Sequence, residues 1–546
     1  MLSKKQQSYL RARLFRHLDG IVTVPSLQAL YSAGVTDYIL QKERVSLDKL
    51  SQKFKANDGY LNVALRVLCS QGWLEQEVDN KQNTVHFQIN ENTSYALGLI
   101  PHYQQASKIS RLFPRIFSGS ISPETYEELN GFFREYRSEF SLPSSGSDRD
   151  VTPSGRSVRE KEIREQVLAH LEGAIAGPLT VKLGMGELFH KYFMEASFRA
   201  EEYHEDADRF SLILDFFADL GWFVKKNGTY QFTDTGLFYA KRAAAYGVTV
   251  SYSPTLAAAE ELIFGDPNAL KAPESSDEIH VDREMNVWGS GGAHSAYFKK
   301  VDEILIDLFN RPISEQPKGV LDMGCGNGAF LIHIFDVIEQ RTYRGKILDE
   351  HPLILVGADY NRSALKVTRA NFIKSDIWAK VVWGDIGDPD GLAANLHEDY
   401  NVDMSELLNV RTFLDHNRVW NEPKNPTRRV STSTGAFVHA GKRLSNNLVE
   451  DSLLEHFQKW APYIKNFGLL LIELHTLPPE VTARNLGKTP ATAYDATHGY
   501  SDQYILEADV FMRIAEEAGL RPDERLLARY PDSELTTVTI NLFRGE

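Results

Sequence analysis

The stretch Val320-Leu321-Asp322-Met323-Gly324-Cys325-Gly326-Asn327-Gly328-Ala329-Phe330 runs an apolar strand into a glycine-rich turn and then into an apolar helix. Such a turn leaves the backbone uncovered where side chains would block a ligand. The helix behind it adds unpaired N–H groups suited to an anionic end of that ligand. A dinucleotide site wants G-x-G-x-x-G, whereas Gly324, Gly326 and Gly328 are spaced G-x-G-x-G. Tight turns without any ligand are common, so the reading needs further residues.

They follow in order. Asp359 closes a second predicted strand in VGADYN, where a carboxylate can accept both hydroxyl protons of a ribose. Asp385 closes a third in VVWGDIGD, where it can accept from an adenine amino group beside the apolar Ile386. The plainer alternative is that all three acids only cap strands. In order and spacing, these residues resemble the first three motifs of class I S-adenosylmethionine (SAM) methyltransferases. The resemblance implies SAM as cofactor, held by Asp322, Gly324, Gly326, Gly328, Asp359, Asp385 and Ile386.

From Gly319 onward, strands and helices alternate: GVLDMG, a helix to Glu339, LILVGADY, a helix to Phe372, AKVVWGDI, DMSELLNV, a helix around 450–465, FGLLLIELH, a helix at 506–518, then RLLARYP and ELTTVTINLFR. Alternation predicts an α/β fold: a largely parallel sheet with helices on both faces and an antiparallel C-terminal edge. This SAM-binding core is expected over 285–546. The segment before its first strand, Asn286-Val287-Trp288-Gly289-Ser290-Gly291-Gly292-Ala293-His294, is expected to be a lid over the cofactor or a flexible connection.

Two mostly helical, winged-helix-like domains precede it, over 1–140 and 161–284. In the first, the i, i+3, i+4 spacing of Leu61, Ala64, Leu65 and Leu68 ends at Gly72 and gives way to the alternating NTVHFQIN. In the second, DFFADLGWFVKKNGTYQF repeats helix, Gly-Trp and hairpin around Asn227-Gly228. FSLPSSGSDRDVTPSGRSV between them predicts a linker over 141–160. Packing, lid or dimerisation roles are expected for the wings rather than DNA binding.

Composition agrees. With 60 Lys+Arg against 74 Asp+Glu, the formal net charge of −14 opposes a sequence-independent grip on nucleic acid. No apolar run reaches the roughly 18 residues of a membrane span, and the amphipathic N-terminus is no secretory signal, so a cytoplasmic location is the default expectation. Two cysteines, Cys69 and Cys325, provide no disulfide framework.

Three stretches at the ends of later strands should border the reacting methyl group: Leu408 to Arg418, Ile472 to His475, and Tyr494 to Tyr504. They are rich in His, Asp and Tyr. His416, His475 and His498 could act as general bases, with Asp415 and Arg411 beside them. Alternatively His475 and His498, with Gln503 or Asp502, could hold a divalent metal that polarises a carbonyl. For any one histidine the plain reading is a hydrogen-bonded structural residue.

The strings NVWGSGG (286–292), NVRTFLDH (409–416) and ATHGYSDQY (496–504) resemble methyltransferase domains of polyketide assembly lines, of the starter-unit type in the apratoxin and saxitoxin pathways. That resemblance implies C-methylation at the α-carbon of a malonyl-type thioester on an acyl carrier protein, with a mononuclear Fe or Mn activating the dicarbonyl. The starter-unit arrangement continues with an acyltransferase-like domain, and the sequence stops short of one, implying a free-standing enzyme or an excised domain. An acidic carrier would need a basic patch, expected around Arg428, Arg429, Lys442 and Arg443. Two other functions fit the motifs: a small-molecule O-methyltransferase with a winged-helix dimerisation domain, and a SAM-sensing DNA-binding regulator.

Overall fold

The computed structural model describes residues 2–545 apart from 119–121, 141–156, 187, 192–196 and 273–277. The chain divides into two compact units. One holds residues 1–293 with 438–443 and 478–502; the other holds 294–437, 444–477 and 503–546. The stretch expected to be a linker lies almost wholly outside the described residues.

In the first unit, the long helices Lys4–Ser32 and Val158–Met185 pack on each other. A Cβ on Gly20 would lie 2.3 Å from the His170 carbonyl oxygen, and one on Gly173 2.2 Å from the His17 Cα, so glycine lets the backbones touch. This crossing joins the parts expected as separate domains over 1–140 and 161–284. Both wings form as expected. The strands Leu74–Asp79 and Thr84–Ile89 pair in a three-stranded sheet, and Phe223–Lys226 pairs with Thr229–Phe232. Asn227 and Gly228, at φ 50° and 77°, make the turn that only left-handed residues allow.

The expected uninterrupted core from 285 is broken twice. Residues 438–443 and 478–502 belong to the first unit, where Gly59 N–H donates to the Gly441 carbonyl (2.9 Å) and Arg66 pairs with Asp495 (2.8 Å). The physical reason is burial: Arg66 and Asp495 shield each other inside, and Gly499 lies against Val63 with no room for a side chain. The glycine-dense segment after Asn286 is part of a helix, Arg283–Phe309, instead of a lid loop. There Gly289 replaces flexibility with close approach, since its Cβ would meet the Val248 nitrogen at 2.5 Å.

The second unit carries the sheet. Its elements are β1 (Gly319–Met323), α1 (Ala329–Arg341), β2 (Ile354–Asp359), α2 (Arg362–Lys374), β3 (Lys380–Trp383), α3 (Pro389–Tyr400), β4 (Leu407–Thr412), α4 (Asn446–Ile464), β5 (Leu469–Leu474), α5 (Ala508–Glu517), β6 (Leu520–Pro522), β7 (Ala528–Tyr530) and β8 (Val538–Gly545). The strand order is β6-β8-β5-β4-β1-β2-β3, with β7 also paired to β8. β3, β2, β1, β4 and β5 run parallel, and β8 enters antiparallel to β5. β1 and β5 are buried along their whole length, as strands covered on both faces must be. Trp460 of α4 sits in the core and donates its indole N–H to the Ile386 carbonyl (2.8 Å), fixing the turn after β3. Among the described residues no helix is long and apolar enough to cross a membrane.

Candidate active site

All five parallel strands end on one edge, and there the crossover from β1 leaves toward α1 while its neighbour β4 turns the other way. That arrangement makes the crevice in which open α/β sheets bind ligands. Gly324, Gly326 and Gly328 occupy it at φ 80°, 54° and 80°, a conformation costly for any residue with a side chain. A Cβ on Gly328 would strike the Phe372 ring at 2.7 Å, and one on Gly324 the Leu414 side chain at 2.8 Å. At Gly326 nothing stands within 4 Å, so this residue bares its backbone to open space.

The acids frame that turn. Asp359 accepts N–H donors from Gly326 (2.9 Å) and Asn361 (2.8 Å), which aims its carboxylate across the turn. Asp385 accepts from Gly387 N–H (2.8 Å) beside the buried Ile386. Thr368 and Asn371 of α2 donate to the carbonyls of Gly326 (2.6 Å) and Asn327 (2.9 Å), holding the loop from behind. Asp322 is fully buried at the end of β1, and its Oδ1 has no hydrogen-bond partner. Burial, reinforced by the Asp359 charge, pushes its carboxyl up to about 7. An orphaned carboxylate behind a cradle that a Cβ would fill fits a ligand carrying positive charge, as SAM does. The seven residues expected to bind the cofactor are therefore brought together.

At the ends of β4 and β5 the arrangement is different in kind. His416 Nδ1 lies 2.5 Å from Glu473 Oε1, and Glu473 also accepts the N–H groups of Leu474 (2.7 Å) and Asp415 (3.0 Å). Asp415 Oδ1 in turn takes Arg411 (2.6 Å) and His456 Nε2 (2.9 Å). Burial opposes the Asp415 charge, yet Arg411 and His456 hold its carboxyl well below the usual carboxylate range. Arg411 lies 3.9 Å over the Trp460 ring. A carboxylate on Nδ1 fixes the tautomer that leaves the lone pair on Nε2, which equips His416 for proton transfer. Asp415 and Arg411, expected beside the bases, buttress this pair from within the fold.

The other expected residues are placed elsewhere. His475 is buried with Nε2 on the Thr539 hydroxyl (2.8 Å) and Nδ1 near the Leu506 carbonyl (3.3 Å), and burial pushes it down to about 3. Both ring nitrogens are thus taken up by the fold, as the plain reading allowed. His498 belongs to the first unit, where its Nδ1 meets the Tyr494 carbonyl at 2.8 Å. Gln503 donates to Asn417 (3.0 Å). With both ring nitrogens engaged, His475 does not offer the ligand expected of it, and no three His, Cys, Asp or Glu among the described residues group to hold a metal ion. Of the residues expected to form a basic patch, Arg429 pairs with Asp451 and Glu517, each at 2.7 Å, and Arg443 donates to Asn83 (2.9 Å), while Arg428 and Lys442 are exposed.

Glu473 and His456 were not among the expected site residues. The signal for Glu473 was present, because a lone acid inside the apolar LLLIEL of a central strand needs a buried partner.

Sheet order, glycine cradle and strand-end acids together define a class I SAM-dependent methyltransferase. Residues 278–541 match the family model described as the AprA MT2-like domain, 172–266 the AprA winged helix domain and 10–76 the AprA N-terminal domain. Three successive segments of the chain thus resemble the domains of AprA-type methyltransferases. No curated protein matches it. Similar solved structures include the mitomycin 7-O-methyltransferase MmcR (12% identity, 71% of this chain and 98% of that one, TM-score 0.42). The CurJ carbon methyltransferase is another (10%, 68% and 92%, TM-score 0.32). A third is an O-methyltransferase family protein from Burkholderia thailandensis (10%, 68% and 95%, TM-score 0.37). Likeness of this degree says nothing of the acceptor.

Proposed function

We propose that this enzyme methylates the α-carbon of a malonyl-type acyl thioester, brought by an acyl carrier protein, in polyketide or related secondary-metabolite assembly. The observation that supports it most is the His416–Glu473 pair on the sheet edge that also bears the glycine cradle. Asp322, the three glycines, Asp359, Asp385 and Ile386 would hold SAM, which when bound supplies an electrophilic methyl group. The carbon between two carbonyls must lose its proton to accept that methyl. His416 Nε2 takes the proton, and Glu473 stabilises the imidazolium that forms without itself being protonated. Asp415, held by Arg411 and His456, fixes the loop from which His416 projects and donates its own N–H to Glu473, so the base is oriented before substrate arrives. No step depends on a metal.

The test is a mass assay with purified enzyme, SAM and a malonyl-loaded carrier protein. A gain of one methylene on the acyl group, located on carbon by fragmentation, is the expected result. Methylation of a phenol or alcohol with every thioester left unchanged would move the reading to small-molecule O-methylation, in which the same base would serve a hydroxyl.

A further inference from the structure

β3 is the terminal strand of the sheet, and α2 beside it reads RSALKVTRANFIK, with four cations and no acid. None of Arg362, Lys366, Arg369 or Lys374 has an ion-pair partner among the described residues. In a chain of net charge −14 this helix is a local inversion of sign. Arg362, Lys366 and Arg369 follow one another at i, i+4 and i+7, and so line one face. They border an open groove of about 460 Å³ with Trp383 and Tyr400. Arg369 reaches over to the carbonyl of Val381 on the edge strand (2.8 Å), and Lys380 lies 4.5 Å over the Tyr400 ring.

Large apolar groups stand out around the same edge: Trp378 is 89% exposed and Tyr360 62%. Exposed tryptophan, tyrosine and arginine together are the composition of interface anchors, and solvating them singly gains nothing for folding. The chemistry selects the partner. Cations need anions opposite them and aromatic rings need apolar contact, which a protein helix with acidic and apolar positions provides. A polyphosphate chain meets only the cations, is opposed by the acidic remainder of the chain, and would press against Asp399 in the groove wall.

The geometry points to the α2–β3 edge as a docking surface for an acidic helical segment of another protein, a role separate from methyl transfer. It is tested with the full chain and two labelled synthetic helical peptides, one with glutamates at i, i+4 and i+7 between leucines, the other with lysines in their place. Fluorescence anisotropy should show the glutamate peptide binding, the lysine peptide not, and affinity falling about tenfold or more between low and high salt. The variant R362E/K366E/R369E should exchange this preference, and the milder R362Q/K366Q, with circular dichroism and SAM affinity unchanged, should weaken the glutamate peptide about tenfold. Four results would overturn the inference: no binding of the glutamate peptide, equal binding by the folded charge variants, tighter binding of a DNA duplex that displaces the peptide, or a dimer of this chain abolished by Trp378→Ser.

Discussion

The two ends of the active site obtain their chemistry by opposite means. At the end of β1 the ligand would meet backbone, bent into a left-handed path at three glycines, with one buried acid that the fold leaves unsatisfied. At the ends of β4 and β5 side chains brace one another: glutamate holds histidine, and arginine with a second histidine holds aspartate. One end awaits its ligand, whereas the other is cross-braced beforehand, although Asp415 Oδ2 and Arg411 Nε and Nη2 are left without partners there. A methyl donor must be bound and released every turnover, so a cradle stabilised by the ligand itself suits it. A base must meet its proton at the correct angle each time, so rigidity suits that end.

If the ends are separate in this way, His416→Ala should lower kcat by roughly 10²–10⁴-fold while calorimetric SAM affinity stays as in the wild type. A loss of SAM affinity in that variant would break the division. Gly326→Val should do the reverse, weakening SAM binding by roughly 100-fold through about 1–3 kcal/mol of backbone strain together with lost clearance. Substrate turnover at saturating SAM should then remain measurable. Glu473→Gln, which keeps the shape and removes the charge, should lower kcat by roughly 10–100-fold and leave SAM affinity alone. Turnover equal to wild type would show that the pair is only structural.

The smallest effect is a pH dependence that belongs to one end only. The folded chain holds a proton on Asp322 up to about pH 7, whereas the unfolded chain releases it near the ordinary carboxylate value. The folded state therefore binds more protons across that interval, and stability falls as pH rises through it. A cationic ligand beside Asp322 favours the ionised form, so SAM affinity should climb several-fold as pH rises through about 7 and then level off. Asp322→Asn should flatten both curves, and an unchanged slope in calorimetry across pH 5.5–8.5 would remove Asp322 from the account.

The same contrast explains what could be read without coordinates. The cradle is contiguous from Asp322 to Gly328, and Asp359 and Asp385 close the next two strands, so strand periodicity alone locates them. The other end is assembled from His416, His456 and Glu473, which are far apart in sequence and lie on different elements. Spacing carries no information there. His475 drew notice as a histidine at a strand end, yet the antiparallel β8 alongside gives it the Thr539 hydroxyl, a partner whose register is set by tertiary pairing. The helix from Arg283 was hidden by its glycines, which read as flexibility and serve close packing at Gly289.

The chain also leaves the sheet unit twice, after β4 and after β5, to bury residues 438–443 and 478–502 among helices encoded hundreds of residues earlier. No single cut can then yield a tidy half. A fragment beginning near residue 285 would carry Gly499 without Val63 to cover it and Asp495 without Arg66, an unpaired charge with nowhere dry to go. Cutting the winged half away would thus bare surfaces that only its own helices cover.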